Sequence, residues 1–387
     1  MVRMSDILKR IGQKPALEKP QEEKSQEEKP SIPLQEELVK EVSQAYTPKI
    51  KEEKASESVQ FAKAMSKQEG ISEEEGKMHI AKAMRETQLD PEESLHIYNQ
   101  GIGLMKEILN KAKNNEPIEL KEIYTLIENI VERFVLGDQE LLSLSAGFNN
   151  GDYLVVHSIN VAMFSIELGL GKGYNKSRLN ELGLSALLHD IGMIKVMDIA
   201  KQPRVLSDDE YAKIKEHPLY GAEVLSKIKN INQSVIYVAK EHHERFTGGG
   251  YPSRLNNGQI NEYSQIVSLC DVYEALTHPR SYRTAMKNQD AIKEILTMNS
   301  QLFDPKNVKV LIKRLGLFPV GSWVELNSGE IGKVIFNNED FPLRPTVNVM
   351  FGMDKQRYPE VKSINLAKHH SLFIKRQVDL KDLGLKL

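Results

Sequence analysis

Seven residues in the middle of the chain have the types and spacing that metal chemistry needs: His157, the doublet His189-Asp190, His217, the doublet His242-His243, and Asp271. Imidazole and carboxylate together suit borderline divalent ions such as iron, manganese or zinc, and with one cysteine in the chain a thiolate site is excluded. If these groups meet in a core, a cation must join them, because several polar atoms would otherwise be left unsatisfied. Adjacent ligands on a helix point about 100° apart, so His189 and Asp190 can address one ion while the carboxylate reaches a second. Two ions bridged in this way let a shared hydroxide attack phosphorus while both stabilise the charge that builds there. Taken singly, each histidine reads equally well as an isolated surface or core residue. On spacing alone both readings stand.

These residues fall on segments with helical periodicity: His157 to Leu168, Leu179 to Leu188, Asp208 to Ile228, Ser234 to His243, Gln265 to Leu276 and Asp290 to Thr297. Upstream, Ile123, Leu126, Ile127, Ile130, Val131 and Phe134 repeat at three and four residues, as do Met105, Ile108 and Leu109, which predicts two amphipathic helices joined by a loop at Asn114-Asn115-Glu116-Pro117. A turn over Gly147 to Gly151 leads into the His157 segment. After Leu317 the period becomes alternating, as in Trp323-Val324-Glu325-Leu326 and Thr346-Val347-Asn348-Val349-Met350, and turns at Asn327-Ser328-Gly329 and Asn337-Asn338-Glu339-Asp340 separate the runs. This predicts a small antiparallel sheet or barrel ending near Ile374. From Gln13 to Ser58 the chain is dominated by Lys, Glu, Gln, Pro and Ser, a composition too poor in apolar surface to offset the entropy of ordering. Met1 to Ile11 reads either as a short amphipathic docking helix or as a frayed terminus. The expected organisation is a mostly disordered tail over 1–60, a helical leader over 61–148, a helical catalytic domain over 149–317 and a small β domain over 318–387.

The totals set outer limits. With 387 residues, 40% hydrophobic, and 52 Lys and Arg against 54 Asp and Glu, the chain is long enough for two or three domains and carries a formal charge of -2. Near-neutrality argues against partners bound through bulk charge, whether nucleic-acid polymer or membrane. One cysteine rules out a disulfide framework and points to a reducing compartment. No run of about 18 apolar residues stands out and the N-terminus lacks the apolar core of a signal peptide, so a cytoplasmic location is expected.

The motif blocks resemble a known family. Leu187-Leu188-His189-Asp190-Ile191-Gly192 is similar to the signature of HD-domain phosphohydrolases, and His242-His243-Glu244-Arg245-Phe246-Thr247-Gly248-Gly249-Gly250-Tyr251-Pro252 carries the Gly-Tyr-Pro of the HD-GYP subgroup. Asp271-Val272-Tyr273-Glu274-Ala275-Leu276-Thr277, followed by Arg280-Ser281-Tyr282-Arg283, resembles that subgroup's third block. The resemblance runs from about Gly151 to Leu315. It implies an HD-type helical bundle that hydrolyses the bacterial second messenger cyclic di-GMP to pGpG or GMP, with two or three metal ions, commonly iron or manganese, zinc being acceptable to the same ligands. It implies that His157, His189, Asp190, His217, His242, His243 and Asp271 are metal ligands, with Asp190 as the bridge. Members with three ions carry a Glu four residues before the first His. Here that position is Tyr153, which favours two ions, and the neighbouring Asp152 points elsewhere on a helix. Gly250, Tyr251 and Pro252 would approach the substrate, Tyr251 by stacking on guanine or donating to phosphate. Arg280 and Arg283 offer planar charged forks for phosphate or guanine.

One departure bears on rate. The family's His-Asp-Ile-Gly block usually ends in Lys, placed to touch phosphate or protonate the departing oxygen. Here it is Met193, which has neither charge nor proton to give. Lys195 would substitute if the helix ends at Gly192 and the chain turns. The first functional reading is therefore a cyclic di-GMP phosphodiesterase slowed by Met193. The others are a silent HD-GYP signalling module that binds cyclic di-GMP or a partner protein, and an HD hydrolase of another nucleotide. No sensor motif is legible in the N-terminal region, whose helices either pack on the catalytic domain, mediate a homodimer or receive a partner signalling protein. His369-His370 reads as a surface pair, Cys270 as a small core hydrophobe and Trp323 as an anchor of the β unit.

Overall fold

The computed structural model describes residues 91–145, 152–202, 204–278, 285–338, 340–380 and 382–385. The expected tail, the leader before Pro91, the docking peptide at Met1 to Ile11, the turn at Gly147 to Gly151, and both Arg280 and Arg283 lie outside the described residues.

Helix α1 (Pro91–Asn114) and α2 (Leu120–Val135) pack on each other across the expected loop, where Asn115 takes a positive φ of 56°. The predicted stripe of α2 is its buried face, and Met105 and Ile108 of α1 are buried opposite polar solvent-facing positions. Asp138 caps the short α3 (Gln139–Leu144) by accepting from the Leu141 N–H, and also pairs with the buried Arg133 at 2.5 Å. The middle of the molecule is α4 (Tyr153–Gly171), buried continuously from Leu154 to Gly169. A helix that is apolar on all sides has to be surrounded, and α1, α2, α5, α10 and α12 surround this one. By length and composition α4 is apolar enough to cross a membrane, but 89% of that stretch is buried inside the protein, as befits a core helix.

From α5 (Lys176–Leu187) the chain enters a 3-10 turn (Ile191–Lys195), then α6 (Met197–Ala200), α7 (Asp208–Ile214), α8 (His217–Ser226), α9 (Gln233–Glu241), α10 (Glu262–Thr277), α11 (Asn288–Leu302) and α12 (Pro305–Leu315). Asn175, Asn232, Asn261 and Asp304 cap α5, α9, α10 and α12 with side-chain oxygens, and Ser207 with Glu210 forms a capping box on α7. The sequence predicts one helix from Asp208 to Ile228, whereas the structure has two. Pro218 lies in the first turn of α8, where its missing N–H costs nothing, and its ring disfavours a helix running in from residues before it. The break places His217 at the start of α8 rather than in mid-helix.

Past Gly316 the chain forms a five-stranded antiparallel sheet in the order β4-β3-β2-β1-β5: β1 (Trp323–Leu326), β2 (Ile331–Phe336), β3 (Thr346–Phe351), β4 (Arg357–Asn365) and β5 (Ile374–Gln377). Register is set by pairs such as Trp323 with Lys333, Lys333 with Asn348, and Val347 with Ile364. Burial alternates along β3, with Val347, Val349 and Phe351 inward, as the alternating sequence requires. Trp323 is half-buried against Ile331, Phe351 and Leu380. The sheet is tied to the helical part by Asn337, whose side-chain N–H donates to the Leu315 carbonyl at 2.7 Å, and by the Asn288 N–H, which donates to Gln377.

Candidate metal centre

Five elements bring the predicted ligands together. His157 stands in the second turn of α4 and Asp271 in the middle of α10, His189 and Asp190 follow the end of α5, His217 opens α8, and His242 and His243 follow the end of α9. His189 and Asp190 thus occupy a turn instead of consecutive helical positions, and their divergence comes from the switch to the 3-10 turn. Gly192 makes that turn possible. A Cβ there would lie 2.0 Å from the His217 carbonyl oxygen and 2.4 Å from the Gly221 nitrogen, so only glycine lets the turn rest against α8 and carry Asp190 to His217.

The side chains form two groups. Asp190, His217, His242 and His243 make one, and His157, His189 and Asp271 the other, with the donor atoms in each within 4.8 Å of one another. Asp190 faces both. Its Oδ1 lies 3.1 Å from His217 Nε2 and 3.5 Å from His242 Nε2, and its Oδ2 lies 3.7 Å from His157 Nε2 and 3.8 Å from His189 Nε2. A carboxylate so placed could bridge two ions, one in each group.

The hydrogen bonds behind the ligands fix which nitrogen points inward. Nδ1 of His189 donates to the Ala186 carbonyl, Nδ1 of His217 to Ile214, and Nδ1 of His242 to Val238 and Ala239, at 2.7 to 3.1 Å. His157 Nδ1 meets Glu274 Oε2 at 2.5 Å. With those protons committed outward, the Nε2 lone pairs of His217 and His242 face each other at 3.2 Å, and His243 Nε2 lies 3.1 Å from His217 Nε2. Lone pairs facing one another at this range repel unless a cation lies among them. In addition, His189 Nε2, Asp190 Oδ1, His243 Nδ1 and Asp271 Oδ2 are buried without a hydrogen-bond partner. Orphaned donors of these types are what a divalent ion would satisfy, so the residues fit such ions.

Protonation tells the same story. Burial favours neutral His157, but the Glu274 and Asp271 carboxylates outweigh it and push its pKa up to about 10. Burial lowers His189 to about 4, and burial with the neighbouring His242 and His217 holds His243 well below the usual range. Burial would raise Asp190, but His189, His217 and His242 keep it ionised, and Asp271 is held low by His157 and His243 against the same penalty. The two carboxylates are therefore anionic and His189 and His243 neutral, as metal ligands must be, while His157 holds a proton that a bound cation would displace.

On the rim, Tyr251 stacks on His243 with centroids 4.7 Å apart, and the Lys215 ammonium lies 5.5 Å from the Tyr251 ring and 4.7 Å from that of Tyr211. The close approach predicted at Gly250 exists, but it is to the protein's own backbone: a Cβ there would meet Glu244 Cα at 2.5 Å and His243 O at 2.6 Å. Glu244 then accepts from the Ser253 and Leu255 N–H groups at 2.7 and 2.9 Å and secures the loop that holds Tyr251 and Pro252. Tyr153 stacks on His157, and Asp152 caps α4 by accepting from Leu154, so neither supplies a carboxylate to the centre. Met193 is half-buried on the 3-10 turn, Lys195 is exposed there, and its charge is felt by Glu223 of α8. Cys270 is fully buried with its thiol pushed up to about 12, and His369 and His370 are exposed. Glu244, Glu274, Tyr211 and Lys215 escaped sequence reasoning. Glu244 and Glu274 lie inside the recognised blocks, which was the available signal.

Residues 154–307 match the HD domain family, and residues 323–386 match the KOW domain associated with HD domain. A cyclic di-GMP phosphodiesterase of Pseudomonas aeruginosa is 32% identical over 241 residues, which are 62% of this chain and 58% of that protein. The 3'3'-cGAMP-specific phosphodiesterase 2 of Vibrio cholerae is 28% identical over 221 residues, 57% of this chain and 39% of that protein. The chain thus spans less than two thirds of the length of these curated relatives. Among solved structures, an HDG"Y"P protein from Bdellovibrio bacteriovorus has the same fold, with a TM-score of 0.50 at 20% identity, covering 61% of this chain and 76% of that one.

Proposed function

We propose that this protein, whose residues 154–307 match the HD domain family, is a metal-dependent phosphodiesterase of the HD-GYP kind that hydrolyses cyclic di-GMP to pGpG or GMP. The observation that carries the proposal is the pair of facing ligand groups that share Asp190. Asp190, His217, His242 and His243 would hold one divalent ion, and His157, His189 and Asp271 with Asp190 the other, iron or manganese being favoured and zinc compatible. When bound, such ions supply a water activated for in-line attack on phosphorus and offset the charge on the phosphate oxygens. The protein's own groups do the rest. Asp190 and His243 retain 14% and 13% side-chain exposure, so the substrate's phosphate approaches from their side. Tyr251, held by the loop through Gly250 and Pro252, meets a guanine or a phosphate, and Arg280 and Arg283 grip the other end of the dinucleotide. Input would enter through the residues before α1, from a partner signalling protein or a second copy.

Met193 leaves the leaving oxygen without the usual ammonium, and Lys195, exposed on the same turn, either reaches in as a partial substitute or stays solvated. Met193→Lys is expected to raise turnover by about 10²-fold, the lower end of what a general acid contributes. No gain in metal-loaded protein would show that the position is not limiting. The test of the whole proposal is anaerobic purification, metal quantification and a cleavage assay on the same sample, expected to give two ions per chain and a linear product. Binding of cyclic di-GMP without cleavage under iron and manganese would favour a signalling module. A second reading, a hydrolase of a mixed cyclic dinucleotide, is favoured by the similarity to a 3'3'-cGAMP-specific enzyme, and a substrate panel decides.

A further inference from the structure

Behind His157 runs a buried polar chain that leaves the HD domain. Glu274 Oε2 lies 2.5 Å from His157 Nδ1, and Glu274 Oε1 is 3.5 Å from the side-chain nitrogen of Asn160. Asn160 Oδ1 accepts from the Tyr98 hydroxyl at 3.0 Å. Tyr98, Asn160, His157 and Glu274 are each 1% exposed or less. The direction of the chain is fixed by a neighbour. His278, at the end of α10, donates through Nε2 to the Ser145 carbonyl at the end of α3. The Asn160 amide sits 3.3 Å from that same Nε2, which is already a donor, so its acceptor is Glu274.

We propose that Glu274 is a positioning residue for His157, held in place by Asn160 and by Tyr98 of α1, so that the helical leader is a working part of the metal centre. This rests on the metal-binding reading above and goes beyond it, since neither Tyr98 nor Ser145 belongs to the matched segment 154–307. A carboxylate behind a metal-ligating histidine fixes its tautomer and ring orientation and strengthens it as a donor, an effect worth about 10- to 100-fold in metal affinity. Here the benefit falls on one group of ligands. Glu274 aims His157 Nε2 at Asp271 Oδ1, 3.4 Å away, in the same group as His189, while His217 and His242 are oriented by backbone carbonyls and His243 by its stack on Tyr251. A shift of α1 would therefore be read at the His157 side of the centre and not at the His217 side.

The experiment titrates manganese into metal-depleted full-length protein by equilibrium dialysis, for wild type, Glu274→Gln and Tyr98→Phe. The wild type is expected to bind two ions. Glu274→Gln should weaken one affinity about 10- to 100-fold and leave the other unchanged, which also reports that the fold survives. Tyr98→Phe keeps the ring and removes one hydroxyl, and should weaken the same affinity about 2- to 10-fold. Two unchanged affinities in Glu274→Gln, or two that fall together, overturn the assignment alone. An unchanged Tyr98→Phe beside a weakened Glu274→Gln overturns the part played by α1. A wild type that takes up no manganese, iron or zinc overturns the metal reading itself, and the assignment with it.

Discussion

The two ligand groups of the centre are built differently. The His157 group draws His157 from the second turn of α4 and Asp271 from the middle of α10, the most deeply buried helices near the site, adds His189 from the turn after α5, and has all three residues buried. The His217 group is assembled from helix ends: the turn after α5, the first residue of α8 and the two residues that follow α9. Two of its members, Asp190 and His243, remain partly open to solvent. Mid-helix placement gives rigidity and dry surroundings, while helix ends give access and depend on tight local packing. A centre needing one anchored ion and one reachable by substrate would use one of each.

The largest test of this contrast is Asp190→Asn. It preserves volume and removes the charge shared by both groups, so both ions should be lost and cleavage should fall by roughly 10³-fold or more. Loss of a single ion would show that the groups do not share the carboxylate. Next in size is Gly192→Ala. The added methyl collides with backbone that cannot move aside, and a destabilisation of about 3 kcal/mol is expected in thermal or denaturant unfolding. At temperatures where the variant stays folded, the His217 group should lose metal first, and equal loss from both would erase the distinction. A smaller effect concerns pH without metal. His189, lowered from 6.5 to about 4, must stay neutral when folded, so stability falls as pH drops from 6.5 towards 4. His157, raised from 6.5 to about 10, contributes stability fully below 6.5, and this is lost as pH rises towards 10. Metal-free protein should therefore melt highest near pH 6.5. Saturating manganese should flatten the alkaline side by taking the place of the His157 proton, and a metal-free melting temperature still rising from pH 7 to 9 would contradict this.

Much of the site was legible because its ligands come in short local blocks. His189-Asp190 and His242-His243 announce themselves as doublets, and the pattern of residue types needs no knowledge of packing. What supports them was not legible, because it depends on partners distant in sequence. Glu274 acquires its role from His157, 117 residues away, and Gly192 from a backbone oxygen at His217 that no spacing rule reveals. The split of the expected Asp208 to Ile228 helix was readable in principle from Pro218, but apolar periodicity carries across the break and masked it. In the β part, alternation revealed the strands. The run from β1 to β4 pairs neighbour with neighbour across short connections, whereas the return of β5 beside β1 joins strands distant in sequence and had no local signature.

The all-round burial of α4 has a consequence for how the chain comes into being. Emerging from the ribosome, α4 is an apolar rod whose covering helix α10 begins about 90 residues later, and at roughly 5–20 residues per second it waits about 5–20 s for that cover. Among the described residues, α1 and α2 are already synthesised to shield it, and α5 follows directly behind it. The leader is thus the first surface on which the HD domain can condense, and a truncation that removes it should cost soluble yield during synthesis before it costs any metal binding.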